Sequence, residues 1–450
     1  MREGADGVRV AFKTFGCKVN RVESEEIAAD LLGRGVALCD EGTAEVVVVN
    51  TCTVTGEADS KARKAIRHVL ALPGSPVVVV TGCLAALDAA SLAEMADRVV
   101  VVSDKETVAE AVAGLFGLGH SSGVAGPPSG EGFRTRAMLK IEDGCDAFCS
   151  YCIVPHARGG PRSERIDDVV AKASRLVEAG AREIVLTGIN LGRYRDDAAG
   201  SDLARLVSAV ADTGVWRLRL SSIEPRDLTE RFLEVAARTP AFCPHLHVPL
   251  QSGSDSVLAA MSREYTAREY VSLLRAAADA IPGLAVTTDV IAGFPGETEN
   301  DAAETLALCE EVGFRRMHVF RYSARSGTPA AERRDQVAPG TRAARATALR
   351  DRSSWLWVRS ASAVLGEERE LLVERIEGSD AGGLVAEGTT PDYLRVRVEL
   401  PSGAAASCRV GELLGVRLVS AAGERVEAVP VEPVLGRPVD AGAGFARTRA

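Results

Sequence analysis

Unbroken valine runs constrain this chain most. VVVV stands at 46–49, PVVVVT at 76–81 and RVVVV at 98–102, after a first strand-like stretch near 8–14. Helical patterns lie between and after them, near 21–33, from Ser60 to Leu70 and near 105–116. A β-branched run with no polar alternation reads as a strand buried on both faces, and strands separated by helices pair in parallel. The expected first unit, residues 8–118, is therefore a parallel α/β sheet. Cys17, Cys52 and Cys83 each follow one of its first three expected strands. Ligands bind at that edge of an open α/β sheet, because strand C-termini and helix N-termini converge there.

Residues 119–132 are rich in Gly, Ser and Pro and read as a linker. A second α/β run covers 133–362, with strands expected at 135–141, 182–187, 216–220, 244–248, 284–290 and 315–320. Six strand-helix units make an open, partial (β/α)6 TIM-like barrel rather than a complete eightfold one. Over 363–430 the pattern changes to short strand-like runs, ELLVER, GGLVAEG, YLRVRVEL and LLGVRLVS, which suit a small all-β barrel. Residues 431–450 read as a flexible tail. The expected class is thus a multidomain α/β protein.

Of the 450 residues, 53 are Lys or Arg and 62 Asp or Glu, a net charge of −9. A protein living on non-specific nucleic-acid affinity is usually basic, so any such site here is a local patch. Ten cysteines are too few for a disulfide scaffold of this length, which leaves clustered cysteines as metal ligands or nucleophiles. No apolar run approaches the ~20 residues of a membrane span, and MREGADGVRV lacks a signal-peptide pattern. The expected location is cytoplasmic.

The strongest local signal is Cys145-x3-Cys149-x2-Cys152, in the loop after the first expected barrel strand. Three thiolates can hold three irons of a [4Fe–4S] cluster and leave the fourth open for reaction. A zinc site needs a fourth ligand, and His156 stands four residues on. Incidental loop thiols are the third reading.

This spacing, with Tyr151 before the last cysteine, resembles the radical S-adenosylmethionine enzymes. The segments TFGCKVNRVESE, NTCTVTGEADSKARKAIR, TGCLA, LTGINLGRY, LSSIEP, HVPLQSGSDSVLAAMSREYT and DVIAGFPGET further resemble the methylthiotransferase family, over roughly residues 8–430. The resemblance implies a cluster on Cys145, Cys149 and Cys152 that binds S-adenosylmethionine and yields a 5′-deoxyadenosyl radical. It implies a second [4Fe–4S] cluster on Cys17, Cys52 and Cys83 that supplies sulfur, a second S-adenosylmethionine as methyl donor, and a TRAM-like C-terminal barrel. All six cysteines become catalytic candidates. Gly16-Cys17-Lys18-Val19-Asn20 looks most like the branch acting on N6-threonylcarbamoyladenosine at position 37 of tRNA. The isopentenyladenosine branch reads more like GCQMN and the ribosomal-protein branch more like GCPKN. Implied partners are the tRNA anticodon stem-loop and an electron donor such as a flavodoxin or ferredoxin, with a monomeric chain and no membrane. The rival of another class is a non-catalytic iron–sulfur or zinc RNA-binding protein.

For S-adenosylmethionine the candidates are Tyr151, Thr187, Gly188, Asn190, Ser222, Glu224, Gln251 and Asp289, all but Tyr151 on or after expected barrel strands. For RNA they are Lys61, Arg63, Lys64 and Arg67 on one helix, Arg158 and Arg162 after the cysteine loop, and Arg315, Arg316, Arg321 and Arg325 around the sixth strand. Between 364 and 430 twelve acids face seven arginines, so the last barrel either serves RNA weakly or packs on the central domain. Cys39, Cys243, Cys309 and Cys408 read as buried or idle thiols, and His245 and His247 as polar residues of the barrel.

Overall fold

The computed structural model describes residues 7–119, 135–378, 383–400 and 408–431; most of the expected linker and tail lie outside them. The N-terminal unit is a five-stranded parallel sheet. From one edge its strands run Ala37–Leu38, Arg9–Thr14, Val46–Thr51, Val77–Gly82 and Val99–Val101. Val46 to Val49 are fully buried, because helices cover both faces and each face has its own apolar cluster. Chain order reverses between Arg9–Thr14 and Val46–Thr51, so Cys17 and Cys52 flank the switch point where open sheets form crevices. The edge strand Ala37–Leu38 is an element that periodicity does not reveal.

Six parallel strands form the central unit: Arg136–Lys140, Glu183–Thr187, Arg217–Leu220, His245–His247, Ala285–Ala292 and Arg316–Arg321. They make two three-stranded sheets joined by the bridge Leu218–Phe242. The first and last strands do not pair, so the barrel is open on one side. Capping boxes start two of its outer helices, Thr266 with Glu269 and Thr298 with Asp301.

Helix Pro339–Ser362 leads into a closed five-stranded barrel, ordered Glu368–Gly378, Leu384–Thr389, Arg395–Leu400, Arg425–Pro430 and Leu413–Ala422. Trp357 and Ala361 of that helix enter the barrel's core. The closing strand Arg425–Pro430 adds a fifth run to the four expected. This barrel packs on the central unit through charge. Arg217 donates to Glu370 Oε1 at 2.8 Å and to the Thr389 carbonyl at 3.0 Å, and Arg219 donates to the Pro391 carbonyl at 3.0 Å. Tyr393, in a turn at φ +70°, stacks on His245 with ring centroids 4.2 Å apart.

Candidate functional site

The N-terminal cysteine loops meet because glycine lets them. Gly16 has φ +101°, and a Cβ there would lie 2.7 Å from Cys52 Sγ. Gly82, just before Cys83, has φ +91°, and a Cβ there would lie 2.4 Å from Asn50 Oδ1 and the Thr51 carbonyl. Buried Asn20 ties the loops together, its Nδ2 donating to the Phe15 carbonyl at 2.9 Å and the Thr51 carbonyl at 2.8 Å. Cys17 is exposed, while Cys52 and Cys83 are buried. Burial pushes the Cys52 thiol up to about 11 and raises Cys83 as well.

The central loop is held in a similar way. Gly144 has φ +88°, and a Cβ there would lie 2.1 Å from the Gly160 carbonyl, so the segments flanking the cysteines touch. Ser150 pins the loop, its N donating to the Met261 carbonyl at 3.0 Å and its Oγ to the Ala260 carbonyl at 2.8 Å. Asn190 Nδ2 lies 3.6 Å from Cys145 Sγ. Arg263 Nη1 lies 3.2 Å from Cys149 Sγ, and its Nη2 pairs with Glu224. Burial pushes Cys152 up to about 12.

Glu142 and Asp143 follow the first barrel strand and separate in charge. Glu142 accepts from the Asn190 backbone N at 2.7 Å and rises to about 7 through burial. Burial acts on Asp143 too, but Arg158 and Lys105 outweigh it and hold that carboxyl at about 2. Gly188 is confined by the first of these, since a Cβ there would lie 2.8 Å from Glu142 Oε2. Glu142 Oε1, Thr187 Oγ1 and Asn190 Oδ1 are buried without a hydrogen-bond partner. Unsatisfied polar atoms at strand ends beside Cys145 suit a polar ligand there.

Of the remaining cofactor candidates, Glu224 is brought to Cys149 through Arg263, and Ser222 is half-buried nearby in sequence. Tyr151 packs against the cluster of Val257, Met261, Phe294 and Tyr322. Gln251, at φ +65°, donates its backbone N to the Asp289 carbonyl at 2.9 Å. Asp289 Oδ1 sits 3.3 Å from His247 Nε2 and 3.2 Å from His318 Nδ1, and His247 Nδ1 lies 2.9 Å from Thr287 Oγ1. Half-buried Lys18, first residue of helix Lys18–Gly33, lies within electrostatic reach of Asp289, Tyr393, Arg136 and Arg219.

Arg158 joins the two cysteine regions. It ends the short helix after Cys152 and is 5% exposed. Its Nε lies 3.2 Å from Cys83 Sγ, Nη1 donates to Glu23 at 2.9 Å and Asp143 at 2.7 Å, and Nη2 donates to Asn20 at 2.5 Å. Lys105 Nζ adds contacts of 2.7 Å to Glu23 and 3.3 Å to Asp143. The expectation that Arg158 contacts RNA is therefore corrected, because its donors are spent inside the protein. Arg315 is corrected likewise: it is 8% exposed and reaches Asp392 at 3.3 Å. Arg325 is turned inward to Thr53 and Asp59 of the N-terminal unit.

Among the other RNA candidates, Lys61 pairs with Glu57 at 2.8 Å and Arg63 with Asp88. Lys64, Arg67 and Arg321 are exposed, Arg162 has a largely exposed side chain, and Arg316 lies 3.3 Å from Glu424.

The donor sets fit iron–sulfur clusters better than zinc. A tetrahedral zinc at ~2.3 Å from each thiolate brings sulfurs to about 3.8 Å of one another. Among the described residues, only His247, Asp289 and His318 form a group of three such ligands lying within 4.8 Å of one another. Neither cysteine triplet is drawn in that far. His156 is exposed and packs edge-on against Phe148 at 5.9 Å.

Sequence reasoning missed Glu23, Glu142, Asp143 and Arg263. A signal existed for Glu23. Asn20, Glu23, Ser24 and Ile27 share one helical face, and a polar set at that spacing beside buried Val19 and Val22 marks a charged interior seam.

Two family models match the chain: "Radical SAM superfamily" over residues 139–309 and "Uncharacterized protein family UPF0004" over residues 9–103. The chain is 39% identical over 406 residues to the threonylcarbamoyladenosine tRNA methylthiotransferase MtaB of Bacillus subtilis, covering 86% of this chain and 89% of that one. It is 35% identical over 461 residues to the tRNA-2-methylthio-N(6)-dimethylallyladenosine synthase of Sorangium cellulosum, covering 92% and 91%. Among solved structures it resembles the radical S-adenosylmethionine methyltransferase TsrM from Kitasatospora setae, with TM-score 0.54 at 15% identity, covering 72% of this chain and 77% of that one. That likeness speaks for the fold alone.

Proposed function

The chain belongs to the radical S-adenosylmethionine methylthiotransferases of tRNA, and from that membership we propose that its substrate is N6-threonylcarbamoyladenosine at position 37, converted to the 2-methylthio derivative. It is a sulfur-transferring enzyme that uses S-adenosylmethionine and [4Fe–4S] clusters. The observation that carries the substrate is the 39% identity to the Bacillus subtilis protein named for threonylcarbamoyladenosine. The Sorangium cellulosum relative, matched over 92% of the chain, favours dimethylallyladenosine as the second reading.

In this reading Cys145, Cys149 and Cys152 hold one cluster and Cys17, Cys52 and Cys83 the other. Bound there, the two clusters and the cofactor supply an electron, a hydrogen-abstracting radical, a sulfur and a methyl group. The protein's own residues position and neutralise. Arg263 and Arg158 each place a guanidinium against a cysteine sulfur, which favours the thiolates that metal binding requires. Thr187, Asn190 and Glu142 offer free acceptors beside Cys145 for the amino group and hydroxyls of S-adenosylmethionine. RNA contact then rests on exposed Lys64, Arg67, Arg162 and Arg321, with Lys61, Arg63 and Arg316 exchanging carboxylates for phosphates. The electron comes from a flavodoxin or ferredoxin, and the chain acts as a cytoplasmic monomer. No helix among the described residues is long and apolar enough to cross a membrane.

Mass spectrometry of nucleosides from tRNA of cells with and without the gene tests this directly. Loss of 2-methylthio-N6-threonylcarbamoyladenosine on deletion, and its return on complementation, is the expected result. An unchanged level overturns the substrate.

A further inference from the structure

Two histidines and a carboxylate converge inside the open barrel, in a set that contains no cysteine. Along the fourth, fifth and sixth strands, Leu246, Val248, Val290, Ala292 and Met317 belong to the apolar cluster beneath the outer helices. Side chains alternate on a strand, so His247, Asp289 and His318 project from the other face, into the barrel. Register brings them together: His247 pairs with Thr287, two residues before Asp289, and Asp289 pairs with His318.

Their contacts are short but are not hydrogen bonds. Asp289 Oδ1 lies 3.3 Å from His247 Nε2 and 3.2 Å from His318 Nδ1, yet this oxygen is buried without a hydrogen-bond partner. A ring N–H that bonded it would point along the line from nitrogen to oxygen. Donors of a shared ion instead point at a common centre off those lines. An ion at ~2.0 Å from two donors sets them about 3.3 Å apart in tetrahedral geometry and about 2.8 Å apart in octahedral geometry. The observed separations fit the tetrahedral case, which is that of zinc. The third edge, between the two imidazole nitrogens, is no longer than 4.8 Å, and His318, with 44% of its side chain exposed, can turn to close it.

The surroundings prepare His247 as a ligand. Its Nδ1 lies 2.9 Å from Thr287 Oγ1, and the same hydroxyl lies 3.0 Å from Nε2 of buried His245. When that hydroxyl gives its one proton to His245, His247 Nδ1–H donates to Thr287, and His247 Nε2 turns a bare lone pair toward the carboxylate. Two acceptors face to face need a cation between them. An outer hydrogen bond on one ring nitrogen while the other binds metal is the usual arrangement of a histidine ligand. Exposure rises from 12% at the His247 side chain to 27% at Asp289 and 44% at His318, which gives an ion its way in.

We propose that His247 Nε2, Asp289 Oδ1 and His318 Nδ1 bind one zinc ion inside the barrel, separate from the cysteine triplets. Three protein ligands leave the fourth position to water or to an oxygen of a molecule entering the barrel. The two imidazoles favour zinc over calcium or magnesium, whose shells are built of oxygens. The site is the same whichever N6 group the substrate carries.

The test uses the holoenzyme with both clusters in place, freed of excess metal by gel filtration and dialysed against zinc chloride alone, with metals counted by plasma mass spectrometry. The wild type is expected to bind one zinc per chain beyond its iron. Zinc-edge X-ray absorption should show nitrogen and oxygen neighbours at ~2.0 Å and no sulfur at ~2.3 Å. His318→Ala, at an exposed position, and Asp289→Asn, nearly unchanged in shape, should each lose that zinc at concentrations that fill the wild type, while keeping their iron. Thr287→Val should raise the dissociation constant for zinc about 10- to 100-fold. Zinc bound equally by wild type, His318→Ala and Asp289→Asn overturns the assignment. So does a wild type that takes up no zinc, or sulfur in the zinc shell, which would put the ion on cysteines instead.

Discussion

Arg158 carries its Nε to 3.2 Å from the sulfur of Cys83, joining the loop after one cysteine triplet to the loop of the other across 75 positions of sequence. The same guanidinium pairs with Glu23 and Asp143, whose side chains are 2% and 12% exposed. Removing one partner of a buried ion pair strands the other.

Arg158→Met should therefore cost about 3–5 kcal/mol in denaturant unfolding of the apo chain at neutral pH. Adding Glu23→Gln should recover part of that loss, because one of the stranded carboxylates is then neutral. A single-variant loss below about 1 kcal/mol would show that Lys105 alone suffices to hold the two acids.

The two cysteine sets should separate two activities. Cys145→Ala is expected to abolish 5′-deoxyadenosine formation, read by chromatography. Cys52→Ala should retain some of it and lose sulfur insertion into tRNA. Full thiolation by Cys52→Ala would refute the sulfur-donor role.

Glu142 predicts a pH dependence. Its carboxyl rises from an ordinary 4.5 to about 7 by burial, so the folded chain binds its proton more tightly than the unfolded one does. The resulting stability is fully present below pH 4.5 and is lost as pH rises through about 7. The melting temperature of apo Glu142→Gln should therefore gain on the wild type between pH 5 and pH 8. The difference has an upper limit of about 3 kcal/mol, taking ~1.4 kcal/mol per pKa unit. A gap that stays constant with pH would contradict this assignment.

Glu183 is fully buried and faces both Arg219, at 2.8 Å, and Arg217, at 3.6 Å. Glu183→Gln leaves Arg217 its second carboxylate on Glu370, so Arg219 is the stranded cation. The expected cost is about 3 kcal/mol or more, seen as a lower denaturant midpoint with the slope unchanged. A change in slope instead would mean that the C-terminal barrel has come off its seat and unfolds separately.

How much was legible in the sequence depended on the range of the forces involved. The inner strands of the first unit announce themselves through local β-branched runs, and the valines at 46–49 do so most clearly because both their faces are covered. Ala37–Leu38 is two residues long and carries no period, and Arg425–Pro430 is short and ends in a proline. The grouping of cysteines at three strand ends could be read because strand ends follow from strands. The fate of Arg158 could not, since nothing near it in sequence announces Glu23, 135 positions earlier. Arg315 misled for the same reason, its acid Asp392 lying 77 positions away in another barrel. An arginine in a loop looks solvated until the partner that desolvates it is known.

The shared guanidinium also joins the two cysteine regions in a thermodynamic sense. Whatever the charge state of Cys83 does to the position of Arg158 is felt by Asp143, two residues before Cys145. Linkage is reciprocal: a coupling carried by that guanidinium acts on both sets of thiolates by the same factor. In the proposed reading, whatever filling one site does to the affinity of the other is returned in equal measure, whichever of the two fills first.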